Sequence, residues 1–257
     1  MRGDMKIRVL GCHGGELPDF RTTSFLINKR IILDAGAVTG VLNLKEQLAI
    51  EHVVLTHAHA DHSRDTLFLA DNVIGSNGKG FMLYGMPVVL KSIKQHLLNW
   101  HIWPDFTELP DKSNPVITMQ EVESENTVVI NGLEVTLCMV NHTVPAAGVL
   151  IDDGNNSVVF SSDTAPTDRI WELAAKKKNL KAVFIECSYP EEKKELALLS
   201  KHLTPALLRD EIKKIGRDTM VYVYHIKPQF YKRIIKELKQ QHLPHIEAVK
   251  LNQVINI

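Results

Sequence analysis

Three histidines and one aspartate fall within a single run of six residues. The run is His57-Ala58-His59-Ala60-Asp61-His62, and it directly follows the apolar segment HVVLT at 52–56. The β-branched content of that segment predicts a buried strand. Imidazole and carboxylate ligands suit zinc, iron and manganese better than calcium or magnesium. Because the two alanines let the loop pack closely, we expect it to direct its polar side chains towards two neighbouring metal ions.

One short loop cannot fill two coordination shells, so other segments should supply further ligands. Candidates follow three strand-like runs: His142 after LCMVN, Asp163 after VVFSS and His225 after VYVY. The carboxyl ends of strands are where open α/β sheets place their sites. Asp163 has two carboxylate oxygens and can therefore bridge both ions. The expected sets are His57, His59, His142 and Asp163 on one ion, and Asp61, His62, His225 and Asp163 on the other.

The hydrophobic pattern predicts two sheets flanked by helices. Strands are predicted at 6–11, 23–28, 30–34, 52–56, 128–130, 133–140, 148–152, 157–160, 182–185 and 220–224. Helices are predicted at 36–48, 87–99, 168–178, 204–215 and 229–242. The stretch at about 65–111 is mixed and rich in aromatic residues, and we expect it to form a helical insertion in a single domain spanning 1–257.

The overall charge argues against a general binder of polyanions. The chain has 257 residues, with 30 lysines and arginines against 30 aspartates and glutamates. Nucleic-acid binders normally carry a basic excess, so a nucleic-acid partner is not expected. The sequence has no apolar run of membrane-spanning length and only three cysteines, far apart. We therefore expect a cytoplasmic protein with no membrane partner and no disulfide framework.

The order of these motifs resembles that of the metallo-β-lactamase superfamily. The loop motif is followed by His142, then Asp163, then His225, as in that superfamily, and Asp34 in the run LDAG is similar to its loop-buttressing aspartate. The resemblance implies an αββα sandwich of two mixed sheets flanked by helices. It also implies a dinuclear site with two divalent ions, for which Zn²⁺ is the first expectation and Mn²⁺ or iron the alternatives.

Several further segments resemble the class II cyclic-nucleotide phosphodiesterases. They are LGCHGG at 10–15, TTSFL at 22–26, ECSY at 186–189, HLTP at 202–205 and HIKP at 225–228. This resemblance implies hydrolysis of 3′,5′-cyclic AMP, cyclic GMP or a similar small phosphodiester. Two features depart from that family. Ala60 stands where leucine is usual, and the polar Ser63-Arg64-Asp65 replaces a small, apolar run.

Phosphodiester hydrolysis assigns roles to four side chains. Asp61 would orient the attacking water as well as bind metal, and His202 would donate a hydrogen bond or proton to the phosphate or the leaving oxygen. Glu186 would hold His202 in the required tautomer. Lys227 would offer a positive charge to the phosphate.

The aromatic residues of the 65–111 segment have three possible roles. They are Phe81, Tyr84, Trp100, His101, Trp103 and Phe106. They can form a wall over a purine base, since aromatic faces stack bases. They can equally belong to the core, or form the contact of a homodimer.

Three other functions fit the same metal loop. A transfer-RNA 3′-processing nuclease shares the arrangement of Glu186, His202 and His225, but a neutral chain lacks a basic arm for RNA. A non-hydrolytic diiron oxygen-binding protein typically carries glutamate at the position of His59. A thioester or lactone hydrolase shares the loop but not the ECSY and HLTP segments.

Overall fold

Two mixed sheets pack face to face in the computed structural model, which describes residues 5–76, 78–216 and 218–257. Phe25 of the first sheet contacts Phe160, Phe184 and Tyr224 of the second, with ring centroids 5.1–5.8 Å apart. Helices cover the outer faces. The architecture is therefore the expected αββα sandwich.

The strands lie in two groups along the chain. The first group is β1 (Lys6–Gly11), β2 (Ser24–Ile27), β3 (Ile31–Leu33), β4 (His52–Val54), β5 (Phe81–Gly85) and β6 (Ile117–Glu121). The second group is β7 (Thr127–Ile130), β8 (Leu133–Val140), β9 (Ala146–Asp152), β10 (Ser157–Phe160), β11 (Leu180–Glu186), β12 (Met220–Tyr224), β13 (Ile246–Ala248) and β14 (Val254–Asn256).

Each sheet contains seven strands within the described residues. The first has the order β14-β1-β2-β3-β4-β5-β6, and the second β13-β12-β11-β10-β9-β8-β7. In both sheets an antiparallel part adjoins a parallel part: β3 to β6 are parallel in the first, and β10 to β13 in the second. The parallel strands of each sheet therefore end at a common edge, where loops can converge.

Eight α-helices connect and cover the strands in the described part of the chain. They are α1 (Leu44–Gln47), α2 (Ala60–Ser63), α3 (Asp65–Gly75), α4 (Pro87–His96), α5 (Arg169–Lys176), α6 (Lys194–Leu199), α7 (Pro205–Lys213) and α8 (Tyr231–Gln240). Proline opens α4 and α7, where its fixed φ suits the first helical turn. Every helix in these ranges is too short or too polar to span a bilayer.

The helix predicted at 36–48 is wrong over most of its length. Only Leu44–Gln47 is helical, and a capping box between Asn43 and Glu46 starts it. Upstream, the amides of Val38 and Thr39 donate to the Asp65 carboxylate at 2.6 and 2.7 Å. The Asp65 side chain, distant in sequence, therefore holds these two residues in a non-helical conformation.

The segment at about 65–111 combines sheet and helix. It forms α3, β5 and α4, and β5 pairs with β4 on one side and β6 on the other. It thus contributes a strand to the interior of the first sheet as well as helices. The sequence prediction also missed β6 and α6, which have five and six residues and are too short to show a clear periodicity.

Candidate metal centre

Three histidine nitrogens meet at the first candidate ligand group. His57 Nε2 lies 3.1 Å from His59 Nδ1, and His142 Nε2 lies 3.3 Å from the same atom. His57 and His59 come from the loop after β4, and His142 follows β8. The structure thus brings these three expected residues together from two different sheets.

Asp163 lies between this group and a second one. Its Oδ2 is 3.3 Å from His62 Nε2, 3.1 Å from His225 Nε2 and 3.8 Å from His57 Nε2. Asp61 Oδ2 lies 3.8 Å from both His62 Nε2 and His225 Nε2. One carboxylate therefore faces both groups, and each group offers at least three ligand atoms within 4.8 Å of one another.

Outer partners orient four of the five imidazoles through Nδ1. His57 Nδ1 is 2.9 Å from Thr56 Oγ1, and His225 Nδ1 is 2.8 Å from Thr23 Oγ1. In the same way, His62 Nδ1 lies 2.7 Å from Asp34 Oδ2 and His142 Nδ1 lies 3.1 Å from the Lys201 carbonyl. A partner at Nδ1 leaves Nε2 for the metal and sets the ring orientation.

Two buried polar atoms at the centre lack a hydrogen-bond partner within the described residues. They are His62 Nε2 and Asp163 Oδ1. Buried polar groups are nearly always paired, so such orphans need an explanation. Both belong to the second group and have the donor chemistry that divalent metals accept. The His/Asp cluster therefore fits a metal site.

Charge and burial oppose one another in this cluster. Burial lowers the pKa of His225 to about 3 and that of His142 to about 4, which keeps both imidazoles neutral. Burial also disfavours the Asp163 carboxylate, but His225 and His62 hold the pKa of Asp163 well below its usual range. Neutral imidazoles and an ionised carboxylate are the protonation states that bind metal.

Two glycines, Gly14 and Gly36, pack directly against residues of the second ligand group. A Cβ atom on Gly14 would lie 2.8 Å from His225 Cδ2, and one on Gly36 would lie 2.0 Å from the Asp61 carbonyl oxygen. Asp34, Ser162 and His225 have φ of 57–58°, although none is glycine. Backbone strain of this kind persists where surrounding contacts over-determine it, and it clusters at functional sites.

The polar residues that depart from the phosphodiesterase pattern anchor the metal loop. Ser63 Oγ donates to the carbonyls of Ala58 and His59. Arg64 donates to the Gly36 carbonyl and forms a two-pronged ion pair with Glu16. Ser63 and Arg64 therefore anchor the backbone around the loop and are not candidate ligands.

His202, Glu186 and Ser188 form a hydrogen-bonded unit beside the two groups. His202 Nδ1 is 2.8 Å from Glu186 Oε1, and Ser188 Oγ donates to Glu186 Oε2 at 2.9 Å. Burial opposes protonation of His202, but the Glu186 carboxylate raises its pKa above the usual value. The His202 ring lies 5.2 Å from that of His142 and 5.6 Å from that of His225. His202 can thus place a proton donor next to the candidate ligands.

Lys227 is partly buried near the same unit. Its Nζ donates to the Gly14 carbonyl at 3.2 Å and lies 5.3 Å from the centroid of the Tyr189 ring. It has no carboxylate partner among the described residues. A partly desolvated ammonium of this kind can accept an anionic group.

The aromatic residues of the 65–111 segment divide between the core and the surface. Phe81, Tyr84 and Phe106 are buried in the core, so these three cannot form a wall over a base. Trp100 and His101 are exposed, and Trp103 is partly buried, with its ring 5.2 Å from Phe68. Three of the six aromatic residues thus belong to the core, which was one of the three roles considered for them.

Sequence reasoning missed the residues that support the site from behind. They include Thr23, Thr56 and Ser188, each bonded to a candidate ligand or to the Glu186–His202 pair. The role of Thr56 could have been predicted from the sequence, because this residue directly precedes its partner His57. The role of Thr23 could not, because its partner His225 is 202 positions away.

Comparison with known proteins agrees with this architecture. A family model described as "Beta-lactamase superfamily domain" matches residues 29–226. A protein of Yersinia pestis named "Probable 3′,5′-cyclic-nucleotide phosphodiesterase" is 26% identical, and the match covers 80% of this chain and 67% of that protein.

Solved structures show the same fold. Unliganded yeast PDE1 has a TM-score of 0.85 at 18% identity, covering 99% of this chain and 100% of that chain. The short form of human tRNase Z (ELAC1) has a TM-score of 0.71 at 15% identity, covering 98% and 99%. At these identities the likeness shows the fold alone.

Proposed function

Because the chain belongs to the metallo-β-lactamase superfamily, we propose that it is a metal-dependent phosphodiesterase that hydrolyses a 3′,5′-cyclic nucleotide such as cyclic AMP or cyclic GMP. The observation that carries the proposal is the position of His202: its ring adjoins both ligand groups, and Asp163 of the second group lies 3.8 Å from His57 of the first. The similarity to a bacterial protein with this probable activity supports the choice of substrate.

The proposed cofactor is a pair of divalent ions. His57, His59, His142 and Asp163 would hold one, and Asp61, His62, His225 and Asp163 the other. Zn²⁺ is the proposed metal, and Mn²⁺ and iron have compatible ligand preferences. When bound, such a pair supplies a water of lowered pKa and neutralises charge on the phosphoryl oxygens.

The residues around the ligands supply orientation and a proton. Asp61 is partly exposed at the edge of the second group and would orient the attacking water. As the new oxygen–phosphorus bond forms and the bond to the 3′-oxygen breaks, His202 would give its proton to the leaving oxygen. Glu186 accepts from His202 and from the amides of Thr164 and Leu203, so it is held in place for this role. Lys227 would bind a phosphate oxygen.

The test is a substrate panel combined with one substitution. Purified protein should cleave cyclic AMP, cyclic GMP or bis-p-nitrophenyl phosphate but not a thioester, and a chelator should abolish the activity. His202→Ala should retain the metal content of the wild type while turnover falls by about 10²–10⁴-fold, the usual contribution of a general acid. Exposed His96→Ala is the matched control and should change neither quantity.

Two results would overturn the proposal. Turnover of the thioester alone would exclude a phosphodiesterase. Parallel loss of metal and activity in His202→Ala would make His202 a ligand, which the grouping of His142, Asp163 and His202 also permits.

Transfer-RNA 3′ processing is the second candidate, favoured by the shared arrangement of Glu186, His202 and His225. A nuclease that grips a long polyanion loses affinity steeply as salt rises, whereas a cyclic mononucleotide carries a single charge. The cleavage rates of a transfer-RNA precursor and of a cyclic nucleotide, measured between about 50 and about 200 mM salt, therefore separate the two functions. A steep fall with salt is expected only for the nuclease.

A further inference from the structure

A second concave site lies on the first sheet, lined by residues outside the metal centre. Its volume is about 620 Å³, within the range of small-molecule pockets. The floor is the sheet face formed by β14, β1 and β2, and one wall is α1. The lining contains none of the candidate metal ligands, so the site is separate from the proposed reaction.

Four cationic side chains converge on this cavity against one carboxylate, although the whole chain is neutral. Arg8 is already paired: it bonds Glu46 Oε1 at 2.9 Å and Asn252 Oδ1 at 3.1 Å. Lys6, Lys29 and Lys45 have no ion-pair partner in the part of the chain that the structure describes. Among the described residues, the cavity therefore has an excess positive charge that no acidic group neutralises.

The three lysines come from separate, ordered elements. Lys6 lies on β1, two residues before Arg8 and hence on the same face. Lys29 lies in the tight turn between β2 and β3, where Asn28 and Lys29 have φ of 48° and 64°. A turn with two positive φ values is the rigid type that fits a hairpin. Lys45 belongs to α1. The charges are thus directed to one cavity by three independent backbone segments.

Apolar side chains form part of the cavity floor. Leu26 and Val254 are the direct cross-strand neighbours of Arg8 on β2 and β14. Val254 is 43% exposed, so apolar surface remains open to solvent inside the cavity. A ligand that fits must therefore combine negative charge with an apolar group.

We propose that this cavity, bounded by Lys6, Arg8, Lys29, Lys45, Leu26 and Val254, binds a small organic phosphate, with the phosphate on the lysines and the apolar group on the sheet face. Lysine ammonium groups bind phosphate as point charges, and three of them can neutralise a dianion. Covering Val254 removes apolar surface from water and adds affinity for the organic part.

The test uses two phosphonates that cannot be hydrolysed as esters. Phenylphosphonate and methylphosphonate carry the same charge, and only the first has a large apolar group. Isothermal titration of the metal-loaded protein should show binding of phenylphosphonate about tenfold tighter than of methylphosphonate, which corresponds to the burial of one small apolar group.

Matched lysine substitutions locate the site. K6Q/K29Q/K45Q should weaken phenylphosphonate binding at least about tenfold. K176Q/K232Q/K239Q removes the same charge from exposed lysines outside the cavity and should leave binding unchanged. Val254→Asn should reduce the preference for the phenyl group without abolishing binding.

Three outcomes would overturn this inference. Binding that K6Q/K29Q/K45Q leaves intact would place the anion elsewhere, including at the metal centre. Equal weakening in both triple variants would mean that only net charge matters. Absence of binding to the wild type at millimolar phenylphosphonate would show that the lysines are simply solvated.

Discussion

At the scale of single residues, hydroxyl groups outside the candidate ligand set lie against the ligand imidazoles. Thr23 is buried, and its Oγ1 lies 2.8 Å from His225 Nδ1. Donation from Nδ1–H to this oxygen keeps the lone pair on Nε2, which faces Asp163. Outer partners of this kind tune affinity through the orientation and tautomer of the ligand.

Thr23→Val should therefore weaken metal binding while preserving shape. We expect the dissociation constant for Zn²⁺ to rise about 10–100-fold, the usual effect of losing such a partner. Competition with a chromogenic chelator measures it. Thr22→Val is the matched control, because Thr22 is also buried but donates to the Gly36 carbonyl. Equal affinities for the two variants would show that Thr23 does not orient His225.

At the scale of elements, a buried carboxylate joins two helices behind His202. Glu211 on α7 accepts from Trp171 Nε1 on α5 at 2.7 Å and from the Thr167 amide at 3.0 Å. Trp171 is fully buried in the cluster between the second sheet and its helices. Because α7 begins three residues after His202, this contact holds the helix that follows the His202 loop.

Trp171→Phe should destabilise the fold without removing the metal. The loss of one hydrogen bond to a buried carboxylate, together with a smaller ring, should lower the free energy of unfolding by about 2–4 kcal/mol. Urea unfolding of metal-loaded protein measures this. Trp100→Phe alters a tryptophan that is 57% exposed and should change stability by less than about 0.5 kcal/mol. Similar midpoints for the two variants would contradict the structural role of the Glu211 contact.

At the scale of the whole molecule, folding gathers histidines that burial keeps neutral. Burial lowers the pKa of six of them: His13, His52, His57, His59, His142 and His225. Below the ordinary histidine pKa the unfolded chain therefore binds protons that the folded chain does not, so stability falls as the pH falls. His62 and His202 have raised pKa values and are protonated in both states there.

The metal-free protein should thus lose stability as the pH is lowered from about 6.5 to about 4. Burial raises the pKa of Asp34 and Glu186, which acts in the opposite sense, but only at two groups. Denaturant midpoints of chelator-treated protein at several pH values measure the net effect of the histidines and of these two carboxyl groups on stability. Excess Zn²⁺ at pH 7 should raise the midpoint, because the assembled His/Asp cluster of the folded protein binds it more tightly than the unfolded chain does. If the midpoint of the metal-free protein instead rises on acidification, the buried histidines do not determine how its stability depends on pH.

The local sequence determined the chemistry of the candidate centre and the order in which its parts occur. The cluster at 57–62 concentrates donor side chains within one loop, and strand-like runs precede His142, Asp163 and His225. Burial patterns of the longer strands were predictable because apolar periodicity is a property of neighbouring residues. For the same reason, β1 has the predicted bounds, and α4, α5, α7 and α8 lie within the ranges where helices were expected.

Only the tertiary structure decided which groups become partners. The Asp65 carboxylate accepts hydrogen bonds from the amides of Val38 and Thr39, in a segment that was predicted to be helical, and only Leu44–Gln47 forms a helix there. Thr23 meets His225 across 202 positions, and Phe81, Tyr84 and Phe106 enter the core instead of a binding wall. These outcomes depend on burial and hydrogen bonding between distant segments, and such energies exist only once the two sheets have packed.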